Sequence, residues 1–150
     1  MIIRSATKED ISAIMEIELE SFEFGEVFPV RQFLYYLNMF KDGFFVVVDA
    51  SGFIVGYAIL ACTQNLGYIL SIAVHPKNRK QGYASALLEV LDAKCREKGV
   101  SNLRLDVRVT NTTAIGLYKK MGLAELRVKK DFYGKGFDAL SMGKTVSSRL

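Results

Sequence analysis

The spacing of apolar residues along this chain changes period several times, and each change predicts a new element. Ile2 to Ser5 has the length of a short strand, and Thr7 with Asp10 forms the capping-box pattern that precedes a helix. Helical spacing follows, with these residues on one face: Ile11, Ile14, Met15, Leu19 and Phe22. A second helix is predicted over 29–40, where the proline suits the first turn. Its inward face is expected to contain Phe33, Leu34, Leu37 and Phe40.

The middle of the chain has the pattern of β-strands. Phe44 to Asp49 predicts one strand, Ser51-Gly52 a turn, and Phe53 to Thr63 the hairpin partner of that strand. Gly56 is a candidate bulge within the partner. A further strand is predicted from Tyr68 to His75.

A long helix and a final group of elements make up the second half. The helix follows Gly82 and ends at Gly99, since glycine suits the position after a helix C-cap. The remaining elements are a strand over Leu103–Val109, a helix from Asn111 or Thr112 to Met121, and a hairpin of Leu123–Tyr133 with Phe137–Thr145. The order β-α-α-β-β-β-α-β-α-β-β predicts one α/β domain over residues 1–146 with a mixed sheet. Residues 147–150 are expected to form a frayed tail.

Composition narrows the class of protein. A chain of 150 residues, half hydrophobic and 24% charged, is typical of one soluble globular domain. Its apolar runs stay shorter than the ~18 residues of a transmembrane helix, and its start lacks the pattern of a signal peptide. Cys62 and Cys95 form neither a disulfide framework nor a metal site, so we expect two buried or half-buried thiols. These observations favour a cytoplasmic protein with no membrane partner and no metal.

Charge is distributed unevenly between the two halves. The net charge of +4 is too small to argue for a nucleic-acid partner. Residues 1–75 carry 4 basic and 9 acidic side chains, whereas residues 76–150 carry 16 basic and 7 acidic ones. The asymmetry is consistent with a cationic partner on one side and a polyanion on the other. The alternative is a solvated surface without a target.

One segment carries an anion-binding pattern. It follows the strand ending at His75 and has the sequence Arg79-Lys-Gln-Gly-Tyr-Ala84 at the start of the long helix. A helix N-terminus presents N–H groups without intrahelical partners, and Gly82 allows close approach of a ligand. Arg79 and Lys80 add full positive charges. The alternative is an ordinary helix start with solvated basic residues.

A second block lies downstream and strengthens this interpretation. It contains Leu-Asp-Val-Arg-Val-Thr-Asn ending at Asn111, then Ala114-x-x-x-Tyr118, then Gly122-Leu123. Together the two blocks resemble the GNAT acetyltransferase superfamily, with element order similar over roughly residues 1–145. Within it the sequence looks most similar to ribosomal-protein-alanine (RimI-like) and archaeal N-terminal protein acetyltransferases. It departs from them at Asp106, where they carry glutamate, and at Phe132 in a paired-aromatic segment.

The resemblance implies a mostly antiparallel sheet with a V-shaped splay between the fourth and fifth strands. Pantetheine of acetyl-CoA lies in the split, and the loop after the fourth strand holds the pyrophosphate. By position, the acetyl-CoA residues are Ile72, Ala73, Val74, Arg79, Lys80, Gln81, Gly82, Tyr83, Ala84, Asn111 and Tyr118.

The resemblance also implies catalytic roles. Tyr118 is expected to give a proton to the leaving thiolate, since tyrosine is protonated at neutral pH. Asp106 is expected to be the base, acting through water because its side chain is one methylene shorter than glutamate. Glu26 is a rival base. Tyr118 has an alternative role as a packing aromatic, and Asp106 as a solvent-facing residue paired with Arg104 or Arg108.

The acceptor side is expected to be formed by loop and hairpin residues: Phe22, Glu23, Phe24, Glu26, Phe28 and Tyr133. A core role for the aromatics and a solvated acidic face for the glutamates are the alternatives. We expect direct acetyl transfer to the N-terminal α-amine of proteins. This amine has a pKa near 7.7–8.0 and therefore needs only a weak base to become neutral. A small-molecule amine as acceptor, or an acyl-CoA-binding domain without turnover, remain open. The sequence determines neither first-residue specificity, nor oligomeric state, nor ribosome association.

Overall fold

The elements follow one another in the predicted order in a computed structural model, which describes residues 1–23 and 26–146. Phe24 and the expected tail at 147–150 lie outside the described residues. The strands and α-helices are β1 Ile2–Ser5, α1 Ile11–Ser21, α2 Val30–Met39, β2 Phe44–Val48, β3 Ile54–Thr63, β4 Leu66–Val74, α3 Tyr83–Glu97, β5 Asn102–Arg108, α4 Thr112–Lys120, β6 Ala124–Lys129 and β7 Ala139–Thr145. Among the residues described, no helix combines the length and apolar character needed to cross a bilayer.

The strands form one sheet in the order β1-β2-β3-β4-β5-β7-β6. Pairs β1/β2, β2/β3, β5/β7 and β6/β7 are antiparallel, and β4/β5 is parallel. The β4/β5 register covers only Leu66–Tyr68 opposite Asn102–Arg104, although both strands continue beyond it. This short pairing fits the expected splay, and the predicted fold class is confirmed.

Two compact units divide the chain. The first contains Met1–Ala61 and Leu70–Leu91, and the second contains Cys62–Ile69 and the chain from Asp92 onward. The first unit has an apolar core of residues from α1, α2 and strands β2 to β4: Ile11, Ile14, Ile17, Phe33, Tyr36, Phe44, Val46, Tyr57, Ile59 and Ala73. In the second unit the inward face of β5 is buried, as the alternation of Leu103, Leu105 and Val107 predicts.

The first helix starts as the sequence predicts. Thr7 and Asp10 form the capping box, in which Asp10 accepts a bond of 2.8 Å from the Thr7 N–H. Arg4 of β1 adds two bonds to the same carboxylate, at 2.7 and 2.9 Å. These bonds with Arg4, opposed by burial and aided by Thr7, hold the pKa of Asp10 below its ordinary value.

The predicted inward orientation is wrong for two residues. Leu19 of α1 is 63% exposed and Leu34 of α2 is 40% exposed. In α1 the buried stripe runs through Ile14, Ile17 and Glu18, so Leu19 turns one step of about 100° further toward solvent. In α2 the buried face likewise contains Tyr36, whereas Leu34 lies outside it.

Gly56 lies at a bulge, as predicted. The β2/β3 register shifts between Val47 and Val48, with Gly56 opposite Val47. A Cβ atom at this position would lie 2.9 Å from Val47 Cγ1 and 3.0 Å from the Ala73 carbonyl oxygen. Glycine is therefore required for strands on both sides to approach β3.

The final hairpin is confirmed, but its strands are shorter than predicted. Strand β6 ends at Lys129 rather than Tyr133. Asp131 has a left-handed φ of +57°, and its carboxylate accepts a bond of 2.7 Å from the Gly136 N–H. Its own N–H donates to Asp138 at 2.9 Å. These local bonds replace ladder pairing and form an ordered loop between the two strands.

Candidate active site

The predicted anion loop lies in the first unit, between a strand and a helix. Strand β4 ends at Val74, a short 3-10 turn covers Pro76–Asn78, and α3 begins at Tyr83. Between them Lys80 and Gly82 adopt left-handed φ values of +63° and +87°. Arg79 is extended, so the backbone turns at Lys80 and Gly82 before it enters α3, whose first N–H groups have no intrahelical partners.

Electrostatics of this loop also favour an anion. The first turn of α3 contains no acidic residue, so no carboxylate within that turn offsets the positive end of the helix dipole. Arg79 and Lys80 are exposed, and Arg79 Nε donates to the Val74 carbonyl oxygen at 3.1 Å. A strand–loop–helix thus unites the predicted cofactor residues from Ile72 to Ala84, and its donors and charges fit a pyrophosphate.

The predicted acceptor residues before α2 have mixed surroundings. Phe28 packs edge-on against Phe33 and Tyr36, with ring centroids 5.9 and 5.8 Å apart. Phe22 also packs against the apolar core, so both aromatics contribute to the core as the alternative proposed. Glu23 is exposed, whereas Glu26 is half-buried. Their contact with an acceptor remains a prediction.

Glu18 is a buried carboxylate that was not predicted from the sequence to face the core. It is 1% exposed, and one oxygen, Oε2, accepts a bond of 2.8 Å from the Phe28 N–H. The other oxygen accepts the hydroxyl hydrogen of Tyr57. Burial raises the pKa of Glu18, while the Tyr57 and Phe28 bonds oppose the rise. Its position four residues after Ile14, on the apolar stripe, was the signal in the sequence.

Asp106 in the second unit has different partners from those expected. Its side chain is 2% exposed, and it accepts a bond from the Tyr68 hydroxyl. Lys129 Nζ lies 3.1 Å from both carboxylate oxygens. Solvent exposure of Asp106 is therefore ruled out, because Tyr68 and Lys129 enclose the carboxylate. Neither partner was predicted from the sequence.

Tyr133 interacts electrostatically with both Asp106 and Tyr118. The pKa of Tyr133 is raised to about 12 by burial first, then by Asp106 and Tyr118, with Arg108 opposing. The Arg108 guanidinium lies 5.4 Å from the centroid of the Tyr133 ring. Tyr118 is 8% exposed on α4. The second unit therefore unites three predicted residues, one carboxylate and two tyrosines.

Asn111 is the N-cap of α4. Its Oδ1 accepts a bond of 3.2 Å from the Ala114 N–H. This bond uses the oxygen of the amide and not its two N–H groups. The exposed amide nitrogen can therefore still donate to a ligand while the oxygen caps the helix.

The two cysteines are a half-buried and a buried free thiol, as predicted. The thiols of Cys62 and Cys95 lie within hydrogen-bonding reach of each other. Burial, then the neighbouring Cys62 and Asp92, raise the pKa of Cys95 to about 12, and burial also raises that of Cys62. Neither thiol is poised as a thiolate nucleophile at neutral pH.

Comparison with known proteins agrees with this geometry. A model of the Acetyltransferase (GNAT) family matches residues 11–123, so this chain belongs to that family. It is therefore an acetyltransferase, and its acetyl donor is acetyl-CoA.

Individual relatives are similar over most of their length. The N-alpha-acetyltransferase of Sulfurisphaera tokodaii is 31% identical over 153 residues, which cover 93% of this chain and 90% of the relative. The [ribosomal protein bS18]-alanine N-acetyltransferase of Escherichia coli K12 is 30% identical over 134 residues, covering 87% and 86%. The crystal structure of Ard1 from Thermoplasma volcanium superposes with a TM-score of 0.90 at 27% identity, covering 98% of each chain.

Proposed function

We propose that this enzyme acetylates the N-terminal α-amine of proteins. The observation that carries the proposal is the similarity, over nearly the full chain, to relatives named for α-amino and alanine N-acetylation. The chemistry is consistent with it. An α-amine has a pKa near 7.7–8.0 and a lysine side chain one near 10.4, so the neutral fraction at pH 7 is about 300 times larger for the α-amine.

The residues act as follows in the proposal. Acetyl-CoA supplies a thioester whose carbonyl carbon forms the new C–N bond as the C–S bond breaks. N–H groups of the loop from Arg79 to Ala84 bind the pyrophosphate, and a strand amide near Ile72 to Val74 donates to the carbonyl oxygen. Asp106 takes one proton from the amine through water, and the Tyr118 hydroxyl gives one proton to the sulfur.

Transfer is direct in this proposal, without an acetylated enzyme. Both cysteines have raised pKa values and lie side by side, so neither offers a thiolate to accept the acetyl group. The amine of the acceptor is then the only nucleophile that the reaction requires.

The test is thiol release from acetyl-CoA with a panel of acceptors. We expect release with peptides that have a free α-amine, including one copied from the N-terminus of a ribosomal protein. The matched control is each peptide with its α-amine blocked and its lysines intact, for which we expect none. Release only with polyamines or aminoglycosides would contradict the proposed acceptor.

The role of Asp106 predicts a pH-dependent defect. Asp106→Asn is expected to slow turnover about tenfold at pH 7, less than a full general base, because part of the α-amine is already neutral. The defect should shrink toward pH 9, where nearly all the amine is neutral without help. The measurement is kcat/KM for a free-amine peptide from pH 6 to 9.

Asp92→Asn is the matched control for this variant. Asp92 also belongs to the second unit and pairs with Arg96 at 2.6 Å and Lys144 at 3.1 Å. Asp92→Asn removes ion pairs of a similar kind, but the proposal gives no catalytic role to Asp92 or to its two partners. A defect in Asp106→Asn that is equal at every pH would remove its assignment as the base.

The proposal includes a cytoplasmic reaction on N-termini at or near the ribosome. The relative from Escherichia coli is named for a ribosomal protein. Cys62 and Cys95 are free thiols, which the cytosol keeps reduced. Co-sedimentation of the enzyme with ribosomes at physiological salt measures this association.

A further inference from the structure

A polar chain crosses the first unit from the buried Glu18 to strand β4. Tyr57, which is fully buried, donates its hydroxyl hydrogen to Glu18 Oε1. The same hydroxyl oxygen lies 2.9 Å from Ser71 Oγ. Ser71 is half-buried and directly precedes Ile72, the first of the residues predicted to bind acetyl-CoA. The chain therefore joins a buried charge to the strand segment at which the acetyl group is expected.

The direction of every hydrogen in this chain follows from counting donors. The Glu18 carboxylate receives one donor on each oxygen, Phe28 N–H on Oε2 and Tyr57 on Oε1, so both of its oxygens act as acceptors. Tyr57 has a single hydrogen, which it gives to Glu18. The bond between Tyr57 and Ser71 must then use the Ser71 hydrogen. Ser71 is left with only lone pairs to offer a ligand.

We propose that Ser71 is a specificity residue whose hydroxyl oxygen accepts a hydrogen bond from the α-amine of the acceptor. This inference rests on the proposed function. An amine or ammonium N–H is the complement of an oxygen that cannot donate, and the negative charge of Glu18 polarises the chain toward a cationic donor. Tyr57 and Glu18 are positioning residues that act through Ser71.

The same carboxylate also holds the segment before α2. Glu18 Oε2 is bonded to the Phe28 N–H, and Phe28 belongs to the segment predicted to receive the acceptor. One buried charge thus orients the Ser71 hydroxyl and fixes the backbone at position 28. Both effects are exerted within the first unit.

Glu18→Gln is the most informative variant, because it reverses the direction of the hydrogen bonds through Tyr57 and Ser71 while the side chain at position 18 keeps its length. The Phe28 N–H still requires an oxygen, so the new amide oxygen stays at Oε2 and the NH2 group faces Tyr57. The NH2 donates to Tyr57, Tyr57 then donates to Ser71, and Ser71 directs its hydrogen to the ligand. A donor in place of an acceptor opposes binding of an amine.

The experiment measures thiol release with a free-amine peptide and determines the peptide KM, acetyl-CoA KM and kcat separately. Ser71→Ala, Tyr57→Phe and Glu18→Gln are each expected to raise the peptide KM about tenfold or more, the effect of losing a hydrogen bond to a charged group. Ser71→Thr keeps the hydroxyl and should retain a near-normal KM. Acetyl-CoA KM should change less than twofold in all four variants.

Tyr36→Phe is the matched control. Tyr36 belongs to the same apolar core, and its hydroxyl accepts a bond of 2.8 Å from Gln32 rather than joining the chain. It should leave the peptide KM unchanged. If Glu18→Gln fails to fold, the comparison of Ser71→Ala with Ser71→Thr decides the matter alone.

An unchanged peptide KM in Ser71→Ala overturns the proposal for Ser71, whatever the acceptor. If the wild type acetylates only small amines, the proposed function fails instead, and the same KM comparison with that amine still tests Ser71. A wild type that acetylates no amine overturns both.

Discussion

Replacement of Gly82 by glutamate is expected to abolish binding of acetyl-CoA. Gly82 has a φ of +87° in the loop between β4 and α3, a region that residues with a Cβ rarely adopt. A carboxylate there would lie beside the N–H groups and positive dipole end that we assign to the pyrophosphate. Isothermal titration with coenzyme A measures the loss, which we expect to exceed 100-fold in Kd, as repulsion between like charges adds to steric obstruction.

A control at Gly52 separates strain from charge at the loop. Gly52 has nearly the same φ, +88°, belongs to the same unit, and a Cβ there also meets no atom within 4 Å. Gly52→Glu therefore carries the same backbone cost in a hairpin turn without any assigned ligand. If Gly82→Glu binds coenzyme A as tightly as Gly52→Glu does, the loop is not the pyrophosphate site.

Tyr118→Phe is expected to lower kcat about 100-fold, the contribution of a positioned general acid. Only the hydroxyl is removed, so the ring continues to fill its largely buried position on α4. Because the hydroxyl is needed when the C–S bond breaks, the affinity for acetyl-CoA should change little. Steady-state thiol release gives kcat, and titration with acetyl-CoA gives the affinity.

The control for this variant is Tyr36→Phe. Tyr36 and Tyr118 are both 8% exposed, so removal of either hydroxyl disturbs a tyrosine with the same degree of burial. We expect Tyr36→Phe to keep the kcat of the wild type. Equal kcat values for the two variants would eliminate Tyr118 as the acid and leave proton supply to solvent.

Prediction from the sequence succeeded where the determining contacts are close along the chain. The capping box at Thr7, the cap at Asn111 and the bulge near Gly56 depend on residue type and on a few neighbours. Errors arose where a position depends on the exact face of a helix, as with Leu19. They also arose at strand ends, where Asp131 replaces ladder pairing by local side-chain bonds.

The candidate site shows the same difference between features set by neighbouring residues and features set by distant ones. The turn at Gly82 and the start of α3 were predictable, because the glycine and the helix start are contiguous in sequence, whereas the binding of an anion there stays a prediction. The partners of Asp106 were not, since strands bring Tyr68 and Lys129 to it from 38 and 23 residues away. The prediction paired Asp106 with an arginine on its own strand, because the sequence does not show which distant donors the fold brings to it.

By itself, then, the sequence determined the element order, the family resemblance and the turn that leads from β4 into α3, since each depends on local spacing and local backbone freedom. Only the tertiary structure decided which carboxylates are buried and what holds them. Glu18 meets the hydroxyl of Tyr57 from 39 residues away, and Asp106 is enclosed by a tyrosine and a lysine from two other strands. A charge can be buried only where distant donors converge on it, and such convergence is a property of the folded chain.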